Sequence, residues 1–309
     1  MKTSPKASIF LVLATLFWSG NFVVGQAAVT SMTPVELTFW RWAFAALPLL
    51  ALAQIVDRPD WRAVLRYWPT LLLLSFLGMG GYTLLLYTAL LHTSALNASL
   101  ITAANPALIV VLAAVVLGDR PGVLGWGGIG LGLSGVLLVL TGGDFQRLLR
   151  FSFNLGELLM LGAVAVWSFY TIIARRLPVP AISATAVQVA MATVVLAPVA
   201  VATGAQLPGT AAGSWSLAYI AVFPSLGAYL LWNLALKTTA PGTAGNYLNL
   251  MVVFTAVITV LLGAAISLPQ ILGGLLVVGG VMLTSARPSG RSPGIKPGKE
   301  RGLKWMGER

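Results

Sequence analysis

The chain has 309 residues, 58% of them hydrophobic and only 9% charged, with a mean hydropathy of +0.89 and a formal net charge of +11. Soluble domains carry about a quarter charged residues, so a soluble enzyme, a disordered chain and a disulfide scaffold are excluded. Cysteine is absent and His92 is the single histidine, which leaves no thiol chemistry and no ligand set for a zinc or iron site; no metal and no cofactor are expected.

A membrane-spanning helix needs roughly 20 apolar residues. In chain order, apolar runs bounded by Pro, Gly or charge fall at 8–28, 33–55, 68–91, 94–117 and 121–140, and then at 153–173, 181–203, 214–237, 241–262 and 267–285. Period-two alternation is absent, so the runs predict ten transmembrane helices in an all-α membrane protein. Lys2 and Lys6 ahead of the first run imitate a signal peptide, but that run has a counterpart later in the chain and is read as a span. With the amino terminus in the cytoplasm, Lys and Arg lie almost entirely inside. Only Arg147 and Arg150 lie outside, and Arg41 lies within a span. Both termini are therefore expected on the cytoplasmic side of a bacterial inner membrane. The basic excess is a topology signal, and no nucleic-acid partner is expected. Residues 287–309, rich in Pro, Gly and basic side chains, read as a disordered tail attracted at most to anionic lipid heads.

The chain repeats itself. LVLATLFWSGNFVVG at 11–25 resembles MLGAVAVWSFYTIIA at 160–174, with Trp18-Ser19 over Trp167-Ser168. Further on, Tyr87 falls on Trp232, His92-Thr93 on Lys237-Thr238, and Leu117-Gly118 on Leu262-Gly263. Each half carries five spans, an odd number, so the second half must enter the membrane inverted. The boundaries are 1–143 for the first five-helix repeat, 144–286 for the second, and 287–309 for the tail. Inverted repeats are a common build of secondary transporters, whose substrate site lies near the midplane.

With FWSGNFVVG in the first span, FWRWAF in the second, NPALIVVLAAVVLGDR at 105–120 and a Gly-rich fifth span, the chain resembles the drug/metabolite transporter superfamily. Its EamA-type ten-helix exporters are the nearest branch, and within them the chain resembles the YddG-type exporters of aromatic amino acids. The resemblance covers residues 8–286. One departure is the acidic turn, present as Asp119 in the first half and replaced by Ala264 in the second. The resemblance implies alternating access, central helices that enclose the pathway, and export of amino acids or related small metabolites.

Candidate site residues follow from side chains that hydrocarbon does not favour. Ser94, Asn97 and Asn105 share one helical stripe, with Pro106 directly after, and Asn246 shares a face with Asn249. Such amides either line a cavity or hydrogen-bond between helices. Trp18 with Asn21, Tyr82, Trp167 with Tyr170, and Tyr229 with Trp232 lie well inside their spans, where they would hold a flat, partly apolar solute or pack the core. The resemblance places Trp18, Tyr82 and Trp167 on the pathway. Trp40, Trp42, Trp61, Trp68 and Trp215 read as interfacial belt residues, and Lys237 and His92 as boundary residues.

Arg41 lies about eight residues inside the second span, roughly 12 Å deep. An intramembrane arginine marks a functional or gating position by default. It could meet a substrate carboxylate, loop carbonyls, or Glu157; Glu36 is on the wrong side of the helix to help. No Asp or Glu falls near the midplane, so carboxylate-based ion coupling is disfavoured and uncoupled or exchange transport is expected. Gly128 and Gly132 form a G-x-x-x-G pair for close helix approach. A dimer would use these glycines, but a compact ten-helix monomer explains them, and a monomer is expected.

The expectation is thus a carrier for amino acids or related small metabolites, with aromatic or apolar ones favoured. Export of drug-like organic cations or other metabolites is the alternative of the same class. An intramembrane serine protease would use Ser134, in a G-x-S-G pattern, with His92 as base. It is disfavoured because the serine lies in a packing glycine run and the histidine at a span boundary. A channel would need a continuous polar lining, whereas the polar positions cluster centrally between apolar ends.

Overall fold

The structure, a computed structural model, describes residues 4–105, 107–109, 111–112, 122–144, 146, 154–174, 176–236, 238–239 and 247–285. Pro106, Asn246, Asp119, Lys237, Arg147, Arg150 and the tail lie outside the described residues. Seven helices are long and apolar enough to cross a membrane: α1 (Pro5–Ala28), α2 (Pro34–Val56), α4 (Trp68–Leu90), α6 (Val123–Thr141), α7 (Leu155–Ala174), α8 (Ala181–Ala202) and α9 (Ala211–Leu236). Shorter apolar helices are α5 (Ala95–Thr102), α10 (Leu250–Leu261) and α11 (Leu268–Ser285). A five-residue helix, α3 (Trp61–Leu65), follows α2 in the loop.

The sequence sets the helix starts through capping. Ser4 accepts from Ala7 N ahead of Pro5, Thr33 and Glu36 form a reciprocal capping box ahead of α2, and Ser94 accepts from Asn97 N. Each supplies a partner to a backbone N–H that the first turn leaves free. α6 ends at Gly142, whose φ of 60° suits the left-handed C-terminal turn.

Two long helices carry π-helical segments, Ser75–Gly81 within α4 and Phe223–Gly227 within α9. A π turn widens the helix and leaves a carbonyl without its usual partner, a defect often found at functional sites. Two further interruptions are single turns, at 103–104 after α5 and 248–249 before α10. Asn97 and Asn105 stand on either side of the first of these turns, and both reach α7, Asn97 at Glu157 and Asn105 at Ser168. The residue before a proline disfavours helical backbone, and Asn105 stands in that position in the sequence.

The helices pack in pairs. α6 lies along α11, α2 along α8, α1 against α9 and α10, and α7 against α4 and α5. The α6–α11 seam is lined by glycines. A Cβ on Gly280 would stand 2.5 Å from Gly128 O and Gly132 N, and one on Gly135 would stand 2.5 Å from Gly273 O. Gly128 and Gly132 therefore face α11 of the same chain. Between helices in lipid, association rests on such close contact rather than on hydrophobic burial.

Gly280→Ala should lower stability by about 1–3 kcal/mol, because its methyl meets backbone on both sides. Gly127→Ala, whose Cβ meets nothing within 4 Å, should leave the melting temperature in detergent unchanged. Equal melting of both variants would show that the seam does not hold the bundle.

Candidate functional site: an aromatic chamber beside a buried arginine

Near the middle of the bundle, aromatic side chains from five long helices converge. Trp18 of α1 packs edge-on to Tyr229 at 5.6 Å between ring centroids and lies 5.4 Å from Trp232, both on α9. Tyr82 of α4 lies 4.9 Å from Trp167 of α7, which stacks on Tyr170 at 4.8 Å. Trp42 of α2 reaches Tyr229 at 6.4 Å. Trp18, Tyr82, Trp167, Tyr170, Tyr229 and Trp232 are half-buried, although they sit well inside their helices and meet across helix pairs. Tyr170 and Tyr229 both pack against the buried cluster around Trp42 and Met79, so the two aromatic groups border one region. Rings held edge-on and stacked in this way form a flat-walled, weakly polar environment.

The π segments hold the chamber walls. The α9 segment presents Pro224 O, which accepts the Trp18 indole N–H at 3.2 Å. The α4 segment presents Met79 O, which accepts the Trp42 indole N–H at 2.7 Å. Trp42 is 1% exposed, which corrects its reading as an interfacial residue: its helix face points to α4 and not to the membrane boundary. Gly78, in the same π segment, lets the Tyr170 ring lie against the backbone, where a Cβ would come within 2.7 Å of the ring. The Tyr170 hydroxyl donates to Gln188 Oε1 at 3.1 Å, and Ser75 donates to the Gln188 carbonyl at 2.7 Å. Gln188 is a site residue that sequence reading passed over.

The serines beside the two tryptophans brace the crossing helices. Ser19 donates to Met251 O of α10 at 3.1 Å, and Ser168 donates to Asn105 Oδ1 at 2.7 Å. Asn105 is thus engaged by α7. Asn97 lies at the other end of α5, donating to Glu157 Oε1 at 3.0 Å and accepting from Gln270 Nε2 at 2.7 Å. That cluster ties α5, α7 and α11 together away from the aromatic chamber.

Arg41 is 4% exposed. Its Nε donates to Ser225 Oγ at 2.9 Å, and its Nη1 donates to the Tyr87 hydroxyl and, at 3.5 Å, to Asn21 Oδ1. The Tyr87 hydroxyl in turn donates to Asn21 Oδ1 at 2.9 Å. The guanidinium carbon lies 4.4 Å from the Trp42 ring centroid, a cation–π contact. Glu157 is not among its partners, so the expected internal ion pair is replaced by a shell of neutral hydroxyls and one amide. Ser225 lies in the α9 π segment and Tyr87 on α4, so the arginine joins α1, α2, α4 and α9.

The serine-protease geometry is not made. Ser134 donates to Gly130 O of its own helix at 2.9 Å, and His92 makes no side-chain hydrogen bond among the described residues. No group of three or more metal-ligating side chains occurs among the described residues. Two apolar crevices, of about 530 and 440 Å³, open elsewhere, one bordered by Tyr67, Phe169 and Arg176 and the other by Trp61, Leu72 and Met191.

A bundle of apolar helices around a polar and aromatic interior is the build of a membrane transport protein, and comparison with known proteins specifies the kind. The sequence pattern of the EamA-like transporter family matches residues 5–141 and 154–286, and the chain belongs to that family. It is 27% identical over 282 residues to an uncharacterized transporter, YyaM, of Bacillus subtilis, covering 90% of this chain and 92% of that protein. It is 29% identical to a probable terminal-alkyne amino-acid exporter of Streptantibioticus cattleyicolor, covering 94% and 97%. A 24% identical relative, covering 81% of this chain and 79% of its own length, is the uncharacterized inner membrane transporter YedA of Escherichia coli. One solved crystal structure shares the fold with a TM-score of 0.65 at 19% identity, over 92% of this chain and 99% of that one. The protein is therefore a multi-pass inner-membrane transporter.

Tyr87→Phe removes the hydroxyl that joins Arg41 to Asn21. It should lower stability by about 1.5–3 kcal/mol, the range for hydrogen bonds to a charged group, read as the unfolding midpoint in detergent. An unchanged midpoint would mean that Ser225, Asn21 and the Trp42 ring hold Arg41 without the Tyr87 hydroxyl.

Proposed function

We propose that the protein is a secondary transporter that exports amino acids or related small metabolites by alternating access, with aromatic or bulky apolar side chains favoured. The observation that carries this reading is the convergence of half-buried rings from α1, α4, α7 and α9 at mid-bundle. A flat, apolar side chain would lie among Trp18, Tyr82, Trp167, Tyr170 and Tyr229, displacing weakly bound water from their faces. The amino-acid exporter among the relatives supports the substrate class.

The ten spans are read as two inverted five-helix repeats, 1–143 and 144–286. Several features support this reading. The family pattern matches twice, from residues 5 and 154. The Trp-Ser pairs at 18–19 and 167–168 each turn the indole to the aromatic groups and the serine to a crossing helix. π segments occur in both α4 and α9, and single-turn breaks recur at 103–104 and 248–249. Internal prolines occur at Pro48 of α2 and Pro198 of α8, which pack together. Discontinuous helices near the midplane suit a site that opens alternately to the two sides.

The acidic side chains among the described residues sit at helix ends. Glu36 caps α2, Asp57 accepts from Ser183, Asp60 caps α3, and Glu157 lies in the first turn of α7. Among the described residues no carboxylate stands at the chamber to carry a proton or sodium ion, which supports reading the transport as uncoupled or exchange-type.

In proteoliposomes, labelled phenylalanine should enter by saturable flux that is indifferent to a pH gradient. Trp167→Ala should lower that flux by about three- to tenfold, in line with the loss of two ring contacts. Flux that follows the pH gradient would overturn the uncoupled mechanism, and absence of flux for every amino acid would sink the substrate class.

A further inference from the structure

We infer that Arg41 and Asn21 form the carboxylate-binding end of the transport chamber, so that the substrate is an organic monocarboxylate recognised by its anionic group more than by any amine. The inference rests on the chamber being the transport site and names the chemistry at one end of it.

The first ground is charge. Arg41 is buried, yet every hydrogen-bond partner it has is neutral: Ser225, Tyr87 and Asn21. Among the described residues no carboxylate pairs with it. Glu36 is held by Thr33 and by the Gln206 backbone N–H, and Glu157 accepts from Asn97. An isolated cation at this depth is expensive, and burial is tolerated when a counter-charge or water completes it. A ligand carboxylate would supply that counter-charge.

The second ground is geometry. Arg41 Nη2 and Asn21 Nδ2 make no hydrogen bond among the described residues. The sealed side-chain atoms lacking a partner are the hydroxyls of Thr38, Thr239, Thr255 and Thr259, and neither of these two nitrogens is among them. Neither donor is therefore fully sealed, and each is spare among the described residues. Asn21 Oδ1 accepts from both Tyr87 and Arg41, which leaves its Nδ2 as a spare donor on the side chain next to the guanidinium. Two spare donors on neighbouring side chains, one of them charged, match the two oxygens of a carboxylate. Trp18 lies three residues before Asn21 on α1 and so shares its face, and Trp42 is next in sequence to Arg41. The ring walls thus begin beside the donors, and an apolar tail of the same ligand would extend into them. A ligand ammonium placed at the same end would stand beside the Arg41 guanidinium and be repelled by its like charge.

The test is ligand binding to the purified full-length protein in detergent, followed by tryptophan fluorescence, which needs no flux. At neutral pH, 3-phenylpropionate should bind saturably. The uncharged 3-phenylpropanamide and the cationic phenethylamine should bind at least about tenfold more weakly, because the charge-assisted bonds are lost. Asn21→Asp, which places an internal carboxylate beside Arg41, should remain folded and lose 3-phenylpropionate binding, and Arg41→Gln should lose it as well. Equal binding of the acid and the amide would overturn the inference. So would wild-type affinity in Asn21→Asp, or no saturable binding of the acid below about 10 mM. Acid binding that survives while no amino acid is transported would sink the amino-acid substrate class and leave the carboxylate site standing. Transport of phenylalanine with equal affinity for acid and amide would do the reverse.

Discussion

Hydrocarbon offers a backbone carbonyl no hydrogen-bond partner, and the central architecture depends on how this chain meets that constraint. The α4 and α9 helices are widened into π segments where the aromatic groups meet. In α9, Pro224 has no N–H to offer Ile220 O, and the Ser225 hydroxyl donates to that carbonyl instead. Each π segment also receives an indole N–H, from Trp42 at Met79 O and from Trp18 at Pro224 O. A tryptophan supplies one donor and a large apolar face, so the same side chain ties itself to the irregular backbone and forms part of the wall. The distortion of the helix and the aromatic lining are in this sense joined.

Around that junction the polar side chains fall into two groups with different work to do. Asn97, Glu157 and Gln270 bind one another, and Ser168 binds Asn105. These contacts pin crossing helices together and leave little donor or acceptor capacity for a solute. Arg41, Asn21, Tyr87 and Ser225 also bind one another but enclose a net positive charge. A buried neutral network can be self-sufficient, whereas a buried charge in neutral company is not. That difference, more than polarity as such, separates the scaffold from the site.

Much of this was legible in the residues themselves. Helix limits lie within a few residues of the apolar runs for most spans, because Pro5, Pro34, Ser94 and Gly142 mark the ends chemically. Trp18 and Trp167 could be placed inside the bundle from their depth in the runs, and Arg41 from its cost in lipid. Depth alone misplaced Trp42: the reading took distance from a span end as the criterion, while the helix face decided the matter, and its partner Met79 O lies in the α4 π segment. Gln188 and Ser225 gave no signal, since a single polar residue in an apolar run acquires its role from a neighbour more than a hundred residues away.

The glycine seam between α6 and α11 has a bearing on the motions open to the bundle. Gly128, Gly132 and Gly135 meet Gly280 and Gly273 backbone to backbone, and Val139 and Val277 project into the gaps between them. Interlocked surfaces of this kind resist translation, because shifting one helix along the other drives a valine into a carbonyl within a fraction of a turn. The seam therefore holds α6 and α11 together as one unit within the bundle.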